Sequence, residues 1–245
     1  MCTLTWLHAE NGYELFFNRD EMRTRPHADS PVVKTRNHIR HIAPTDSAGG
    51  TWMGVNEYGL SVCILNHHPV PMPLDSGKMK SRGMLVDSLL GEVSREAVGR
   101  RMGEEPLHDY RPFILVAVDA DMSITTFTWE GARLEAAVRD AAQMPLTTSS
   151  YDSAEVITCR RLTFERLVGA RATVTADLLI SFHCQRDPEA GAYSVCMERD
   201  DAHTVSFSHI RVSPDQVCFA YTPHAPCVPS YAPGARLVLA RRAAP

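Results

Sequence analysis

Cys2 is the residue of this chain whose type and position are best suited to chemistry. The initiator methionine is commonly removed before a small residue, and its removal here would place a thiol and a free α-amine on Cys2. A thiol is a strong nucleophile only as thiolate, and an α-amine, with an ordinary pKa of about 8, can accept its proton. Cys2 could therefore supply nucleophile and base together, as N-terminal threonine does. The alternative is a small, buried apolar residue that begins a strand.

A polar tetrapeptide, Asn18-Arg19-Asp20-Glu21, directly follows an apolar run. Asn11-Gly12 is typical of a two-residue hairpin turn, so the tetrapeptide should fold back beside Cys2. There Arg19 would lower the pKa of the thiol, and Asp20 would bind the terminal ammonium group. The alternative is a polar strand end that carries a solvent-exposed ion pair.

Asn66 closes an apolar segment that begins at Gly59-Leu60. A side-chain amide fixed at a strand end can stabilise the oxyanion that forms during acyl transfer. Alternatively, Asn66 only begins the turn into His67-His68-Pro69, where asparagine is common.

Composition narrows the function classes. The 245 residues are 44% hydrophobic and carry a net charge of −4 without a basic cluster, which argues against a nucleic-acid partner. No apolar run reaches the length of a membrane span. The first twenty residues include Glu10, Glu14 and Asp20 and have no basic region of the kind that starts a signal peptide. These features predict a cytoplasmic protein.

Cysteine and histidine spacing indicates neither a metal site nor another cofactor. Cysteines stand at positions 2, 63, 159, 184, 196, 218 and 227, with no C-x-x-C pair. Without a secretory signal we expect all of them to be reduced thiols. The close histidines, at 38, 41, 67 and 68, have no acidic or cysteine companion at ligand spacing and are interpreted as loop residues.

Hydrophobic spacing and turn signals predict runs of strands interrupted by helical blocks. This order argues against a parallel βαβ fold and favours one domain, residues 1–245, of antiparallel sheets covered by helices. The predicted strands are 2–8, 13–18, 50–56, 60–66, 113–118, 123–129, 132–139, 193–197, 204–212, 216–221 and 236–240; the predicted helices are 79–90, 94–102, 154–168 and 175–184.

Several motifs together resemble the NRDE-domain family, also called transport and Golgi organisation protein 2-like. They are Met1-Cys2-Thr3, Asn18-Arg19-Asp20-Glu21 (which gives the family its name), Arg25-Pro26, Gly50-Thr51-Trp52-Met53-Gly54 and the strand end at Asn66, while residues 194–202 resemble the bacterial branch. More distantly, the layout is similar to choloylglycine hydrolases and penicillin V acylases. That resemblance implies an α+β fold, the αββα four-layer sandwich of two antiparallel sheets found in N-terminal nucleophile hydrolases.

The second resemblance also implies roles for individual residues. Cys2 matches the nucleophile, Arg19 the arginine of the second strand, and Asn66 the asparagine that closes a Gly-Leu strand. The aspartate of these hydrolases stands three residues after the arginine, whereas Asp20 follows Arg19 directly. Either Asp20 or Glu21 therefore fills that place, with Asn18 beside them as a possible supporting residue.

Two further positions depart from the pattern of the hydrolases. Their second asparagine lies in a Thr-Asn-Ser stretch, and Thr148 stands at that place here, which implies an altered oxyanion site. Their late arginine corresponds to Arg160 or Arg161. Thr148 and Arg160 are therefore predicted to be possible supporting residues of the site.

Two function classes follow. In the first, the protein hydrolyses a C–N bond in a linear amide, with Cys2 as nucleophile. In the second, the same fold binds or ferries a hydrophobic small molecule, as some eukaryotic members of the family are implicated in haem and lipid handling. The joint presence of Cys2, Arg19, Asp20 and Asn66 favours the hydrolase. The partner in either class is a small-molecule amide or hydrophobic ligand, and the sequence indicates no oligomeric state.

Overall fold

Two antiparallel sheets packed face to face form the centre of the fold. The structure is a computed structural model that describes residues 1–68, 79–140, 143–187, 189, 191–228 and 234–244. Within these residues the strands are β1 Cys2–Ala9, β2 Gly12–Met22, β3 Asp29–Arg36, β4 Ile39–Thr45, β5 Met53–Asn56, β6 Ser61–Asn66, β7 Phe113–Val118, β8 Ile124–Trp129, β9 Leu134–Arg139, β10 Leu146–Thr148, β11 Ala202–Val212, β12 Gln216–Thr222 and β13 Ala235–Ala240.

The strand order places the start of the chain inside the first sheet, between the edge strand β10 and β2. That sheet runs β10-β1-β2-β11-β12-β13, and the second runs β3-β4-β5-β6-β7-β8-β9. Strand β1 contacts β6 across the interface, and β12 contacts β5. Because side chains alternate along a strand, every second residue of each inner strand enters the core between the sheets.

Helices cover the outer face of each sheet. In chain order they are α1 Arg82–Leu89, α2 Arg95–Glu104, α3 Ser153–Phe164 and α4 Ala176–His183. Helices α1 and α2 pack on the second sheet, and α3 and α4 pack on the first. Thr175 caps α4 as predicted, since its hydroxyl accepts a hydrogen bond from the Leu178 N–H at 3.3 Å. The layers are thus helix, sheet, sheet, helix, which confirms the predicted αββα sandwich.

The hairpin between β1 and β2 sets the register of the candidate site. It turns at Glu10-Asn11, one residue before the predicted Asn11-Gly12, since Ala9 pairs with Gly12, and this register pairs Cys2 with Arg19. Glycine is required at position 12 because β11 lies close against the turn, where an added Cβ would collide with the Val212 carbonyl. Strand β2 also continues beyond the predicted end at Asn18, so the whole polar tetrapeptide lies inside a central strand.

Some elements differ from the sequence-based prediction. The prediction lacked β3, β4 and β10, because β3 is mostly exposed without clean alternation and β10 has only three residues. The strand predicted at 193–197 is wrong. A 3₁₀ turn, Gly191–Tyr193, occupies its start, and the Cys196 N–H donates to the Gln185 carbonyl at 2.8 Å instead of joining a ladder.

The cysteines also require a correction. Cys196 and Cys227 form a disulfide with their Cα atoms 6.4 Å apart, so the expectation that every cysteine is a reduced thiol is wrong for these two. Their sequence separation gives no spacing motif, and only the fold brings them together. The remaining five cysteines are free thiols.

The lengths of the helices can be compared with the length that a membrane-spanning helix needs. None of the helices in the described part of the chain is long and apolar enough to cross a membrane.

Candidate active site

A cavity of about 320 Å³ opens beside Cys2, at the end of the two sheets. Cys2 is the first residue of β1 and only 6% exposed, with Arg19 as its partner on β2 and Thr148 as its partner on β10. Ile64 and Asn66, on β6 of the facing sheet, line the same cavity. The fold therefore brings Cys2, Arg19 and Asn66 to one cavity.

Arg19 is held rigidly next to Cys2. Its guanidinium carbon lies 4.2 Å from the centre of the Trp52 ring, a cation–π contact. Its Nη2 donates to Glu21 Oε2 at 3.2 Å, and the same oxygen accepts from Arg25 Nη1 at 2.8 Å. Arg25 in turn bonds to Asp46 at 3.0 Å. Arg19, Glu21, Arg25 and Asp46 therefore form a series of ion pairs along one wall of the cavity, and this series holds the charge of Arg19 in place.

Asp20 points its carboxylate away from Cys2. Neighbouring residues on a strand face opposite sides of the sheet, so Asp20 faces the helices while Arg19 faces the cavity. Asp20 Oδ2 accepts from both terminal nitrogens of Arg160 at 3.3 Å, and Oδ1 accepts from the Thr204 hydroxyl at 2.7 Å. Only its backbone meets the chain start: its N–H donates to the Met1 carbonyl at 3.0 Å, and its carbonyl accepts from the Met1 amine at 3.4 Å.

The remaining members of the tetrapeptide follow the same alternation. Asn18 is buried on the helix side, where its amide donates to the carbonyls of His183 at 2.9 Å and Val195 at 3.1 Å. Glu21 lines the cavity with Arg19. Asn18 and Asp20 thus bind the first sheet to the helices that cover it, and Arg19 and Glu21 line the cavity. The expectation that the tetrapeptide surrounds the terminal amine is wrong for the side chains of Asn18 and Asp20.

Arg160, rather than the adjacent Arg161, is the late arginine that reaches the first sheet. It is fully buried, and its Nη1 also donates to the hydroxyls of Thr3 at 2.8 Å and Thr147 at 3.1 Å. Arg160 therefore ties β1, β2 and β10 together directly behind Cys2.

Potential oxyanion donors surround Cys2. The side chain of Asn66 makes no hydrogen bond to any described residue and lines the cavity. The Thr148 hydroxyl is buried and has no hydrogen-bond partner within the described part of the chain, and the same holds for the indole N–H of Trp52. An unpaired buried polar group is costly, so the Trp52 indole N–H, which lines the cavity together with Asn66, is suited to bind a ligand, whereas Thr148 is not among the lining residues. Trp52 is a possible donor that the sequence does not indicate, since an indole in a predicted strand resembles any core aromatic residue.

Comparisons with known proteins identify the family and the fold of the chain. The sequence model of the Transport and Golgi organisation 2 family matches residues 1–193. The chain belongs to this family. Among curated proteins, no sequence matches it significantly.

Solved structures in the same comparisons share the fold of this family member. Penicillin V acylase from Agrobacterium tumefaciens is 15% identical, with a TM-score of 0.54 over 91% of this chain and 84% of the acylase. An arginine-to-leucine variant of conjugated bile acid hydrolase from Clostridium perfringens is 12% identical, with a TM-score of 0.56 over 97% and 92% of the two chains. A cysteine-to-alanine mutant of that hydrolase gives 14% identity and a TM-score of 0.53. The predicted likeness to N-terminal nucleophile hydrolases is confirmed for the fold.

The state of the thiol in this family member depends on opposing effects. Burial raises the pKa of Cys2 above its ordinary value, and the nearby Asp20 carboxylate acts in the same direction. The terminal amine and Arg19 lower the pKa, but they do not outweigh burial. While Met1 is attached the thiol is therefore protonated at neutral pH, even though Arg19 acts to lower its pKa. A base is needed next to the sulfur.

We expect Cys2 to be alkylated slowly while Met1 is present and much faster once an aminopeptidase has removed it. The raised pKa of Cys2 leaves little thiolate at neutral pH, so labelling of the unprocessed protein should keep increasing above pH 9. After processing, the α-amine of Cys2 can accept the thiol proton directly. Iodoacetamide labelling followed by peptide mass spectrometry measures both rates.

Cys159 and Cys184, which are partly exposed free thiols, serve as internal controls for this labelling. Cys227, which lies in a partly exposed loop, is protected from alkylation by its disulfide with Cys196. Equal labelling of Cys2 and the two controls after processing, unchanged in Arg19→Ala, would contradict an activated thiol.

In the described residues, no group of three or more histidine, cysteine or acidic side chains is arranged to hold a metal ion.

Proposed function

We propose that this protein, once Met1 is removed, is an N-terminal cysteine hydrolase that cleaves the amide C–N bond of a small molecule. The observation that supports this most directly is the position of Cys2, buried at the start of β1, beside Arg19 and on the wall of a cavity that Asn66 also lines. The cavity, at about 320 Å³, is of a size that suits a small ligand. Proteins of the same fold are named as an acylase and a hydrolase, which is compatible with this chemistry.

In the proposed reaction the neutral α-amine of Cys2 takes the thiol proton, and the thiolate attacks the amide carbonyl carbon. The carbonyl electrons move to oxygen, and the side-chain amide of Asn66 donates to the resulting oxyanion. The ammonium group then protonates the amide nitrogen as the C–N bond breaks, which releases an amine and leaves a thioester on Cys2. Water, deprotonated by the same amine, attacks the thioester, releases a carboxylic acid and restores the thiol.

Arg19 has a positioning and electrostatic role in this scheme. Its guanidinium is fixed by Trp52 and Glu21, so it stabilises the thiolate without moving during the reaction. The Asp20 carbonyl, which accepts from the terminal amine in the unprocessed chain, would accept from the Cys2 ammonium group after processing.

Asn66→Ala should lower kcat/KM by about 100- to 1,000-fold, roughly 3 kcal/mol of transition-state stabilisation. The stability of the fold should change little, because the side chain of Asn66 bonds to no described residue. Asn66→Asp is the matched variant: it keeps the shape, and its negative charge opposes the oxyanion, so it should be at least as impaired. Amine release measured by mass spectrometry, with thermal unfolding in parallel, gives both quantities. An Asn66→Ala enzyme that keeps a third or more of the wild-type kcat/KM would remove Asn66 from the oxyanion site.

A second candidate function is the binding or trafficking of a hydrophobic small molecule such as haem or a lipid. One observation favours it, since burial raises the pKa of Cys2; the resemblance to the hydrolases points the same way, because it implies that Thr148 replaces their second asparagine. A raised thiol pKa and an altered oxyanion site would each weaken a thiol-based reaction without affecting a binding cavity.

One sample can decide between the two functions. Protein whose Met1 is shown by mass to be absent is assayed against a library of linear amides, with Cys2→Ser as the blank, and titrated with a panel of haem and lipids. Cleavage that the blank lacks supports the hydrolase. Tight binding of a panel member without cleavage of any amide would refute the hydrolase and support the binding function.

A further inference from the structure

The cavity beside Cys2 carries more positive than negative charge. Its lining includes the cations Arg19, Arg25, Lys80, Arg82 and Arg111 and the acids Asp20, Glu21 and Asp46. Arg19 and Arg25 are matched by Glu21 and Asp46 in one connected chain. Asp20 pairs with Arg160 behind the sheet, and Lys80 pairs with Asp109 at 2.8 Å. Two arginines, Arg82 and Arg111, remain without a carboxylate partner among the described residues.

Arg82 is built into the wall of the cavity. It is the first residue of α1 and half-buried, and its Nη1 donates to the Pro112 carbonyl at 2.8 Å. A guanidinium group has five N–H donors, so most of them remain available to a ligand. The same hydrogen bond holds the segment that carries Arg111 against the start of α1.

Two glycines fix this wall at backbone level. The Thr51 N–H donates to the Gly83 carbonyl at 3.1 Å. A Cβ added at Gly50 would lie 2.6 Å from the Gly83 carbonyl carbon, so the two chains pass in direct backbone contact. The start of α1, and with it Arg82, therefore has little freedom to turn away from the cavity.

Arg82 and Arg111 give this wall of the cavity a positive charge that no carboxylate of the described residues balances. Burial first and the neighbouring Arg111 second lower the pKa of Arg82 to about 10, while Cys2 and Glu21 act in the opposite direction. A half-buried cation beside a second cation is unfavourable without an anion. A bound carboxylate would remove that cost and would gain charge-assisted, bidentate hydrogen bonds.

We propose that Arg82 and Arg111 form a subsite for a carboxylate, and that the substrate class of Cys2 is therefore an amide that carries a carboxylate group. The substrate part of this statement rests on the proposed hydrolase function, whereas the subsite itself does not. Arg82 binds the anion inside the cavity, and Arg111, which is exposed, binds it from the entrance. The anion then anchors one end of the substrate while the amide reaches Cys2.

The test compares a series of N-acylglycines, from acetyl to dodecanoyl, with their methyl esters, which lack the charge. Binding is measured by calorimetry on Cys2→Ala protein, and release of the free fatty acid from the amide is measured on wild-type protein without Met1. At least one acid should bind about 10- to 100-fold more tightly than its ester. Arg82→Gln should abolish that preference, Arg111→Gln should reduce it, and Arg82→Lys should keep part of it, which separates lost charge from lost folding.

Arg100→Gln is the matched control, since Arg100 is an exposed arginine on α2 outside the cavity and should leave the preference intact. Equal binding of acids and esters, no binding of either, or a preference that survives in Arg82→Gln would overturn the subsite, and cleavage of any amide would then still support the hydrolase. Acid-selective binding without cleavage by the processed protein would support the subsite and refute the hydrolase.

Discussion

Cys2→Ala should abolish amide cleavage and leave the fold unchanged. The substitution removes the sulfur that attacks the carbonyl, and loss of a nucleophile typically lowers kcat by at least about 1,000-fold. The structural effect is small, because alanine fits the same buried strand position and the ladders to Arg19 and Thr148 use backbone atoms only. The measurement is amine release by mass spectrometry on protein without Met1, together with urea unfolding.

Cys218→Ala is the matched control for this substitution. Cys218 lies on β12 of the same sheet and, like Cys2, is 6% exposed, but it lies outside the cavity. Its removal should cost a similar amount of stability and no activity. If Cys2→Ala retained more than a tenth of the wild-type rate, or if Cys218→Ala lost activity equally, Cys2 would not be the nucleophile.

The sequence sufficed to predict that the polar tetrapeptide returns beside Cys2, but not which of its residues pairs with Cys2. The local turn signal Asn11-Gly12 predicts the hairpin, but a two-residue turn there would pair Cys2 with Glu21, whereas the turn at Glu10-Asn11 pairs Cys2 with Arg19. The same local argument predicted α1 to α4 and the meander of β7, β8 and β9, whose apolar residues repeat at clear helical or strand spacing.

The contacts that the sequence did not indicate are all between distant segments. Asp20 and Arg160 are 140 residues apart, and nothing local shows that one lies behind the other. Alternation along β2 predicts that Arg19 and Asp20 face opposite sides, but which side meets the cavity depends on how the two sheets stack. The Cys196–Cys227 disulfide and the position of Arg82 in the cavity wall likewise depend on packing that no spacing pattern contains.

Asp20→Asn should lower the free energy of unfolding by about 3–5 kcal/mol, the cost of leaving one buried charge without its partner. Both side chains of the Asp20–Arg160 pair are 0% exposed, and the hydroxyls that also bind Arg160 do not carry a compensating charge. The double variant Asp20→Asn/Arg160→Gln removes both charges and should be less destabilised than the sum of the single variants. Urea unfolding measures all three, and Glu135→Gln, which breaks an exposed pair with Arg133, should change stability by less than about 1 kcal/mol.

The activities of the same variants separate two roles for Asp20. If its carboxylate acts through Arg160 to position β1, the activity of Asp20→Asn should fall together with its stability and should recover in part in the double variant, where no buried charge is left unpaired. If the carboxylate instead bound the Cys2 ammonium group, Asp20→Asn would lose activity without loss of stability, and changing Arg160 would restore nothing. The first result is expected, because Asp20 and Cys2 project from opposite faces of the sheet and only the Asp20 backbone reaches the chain start.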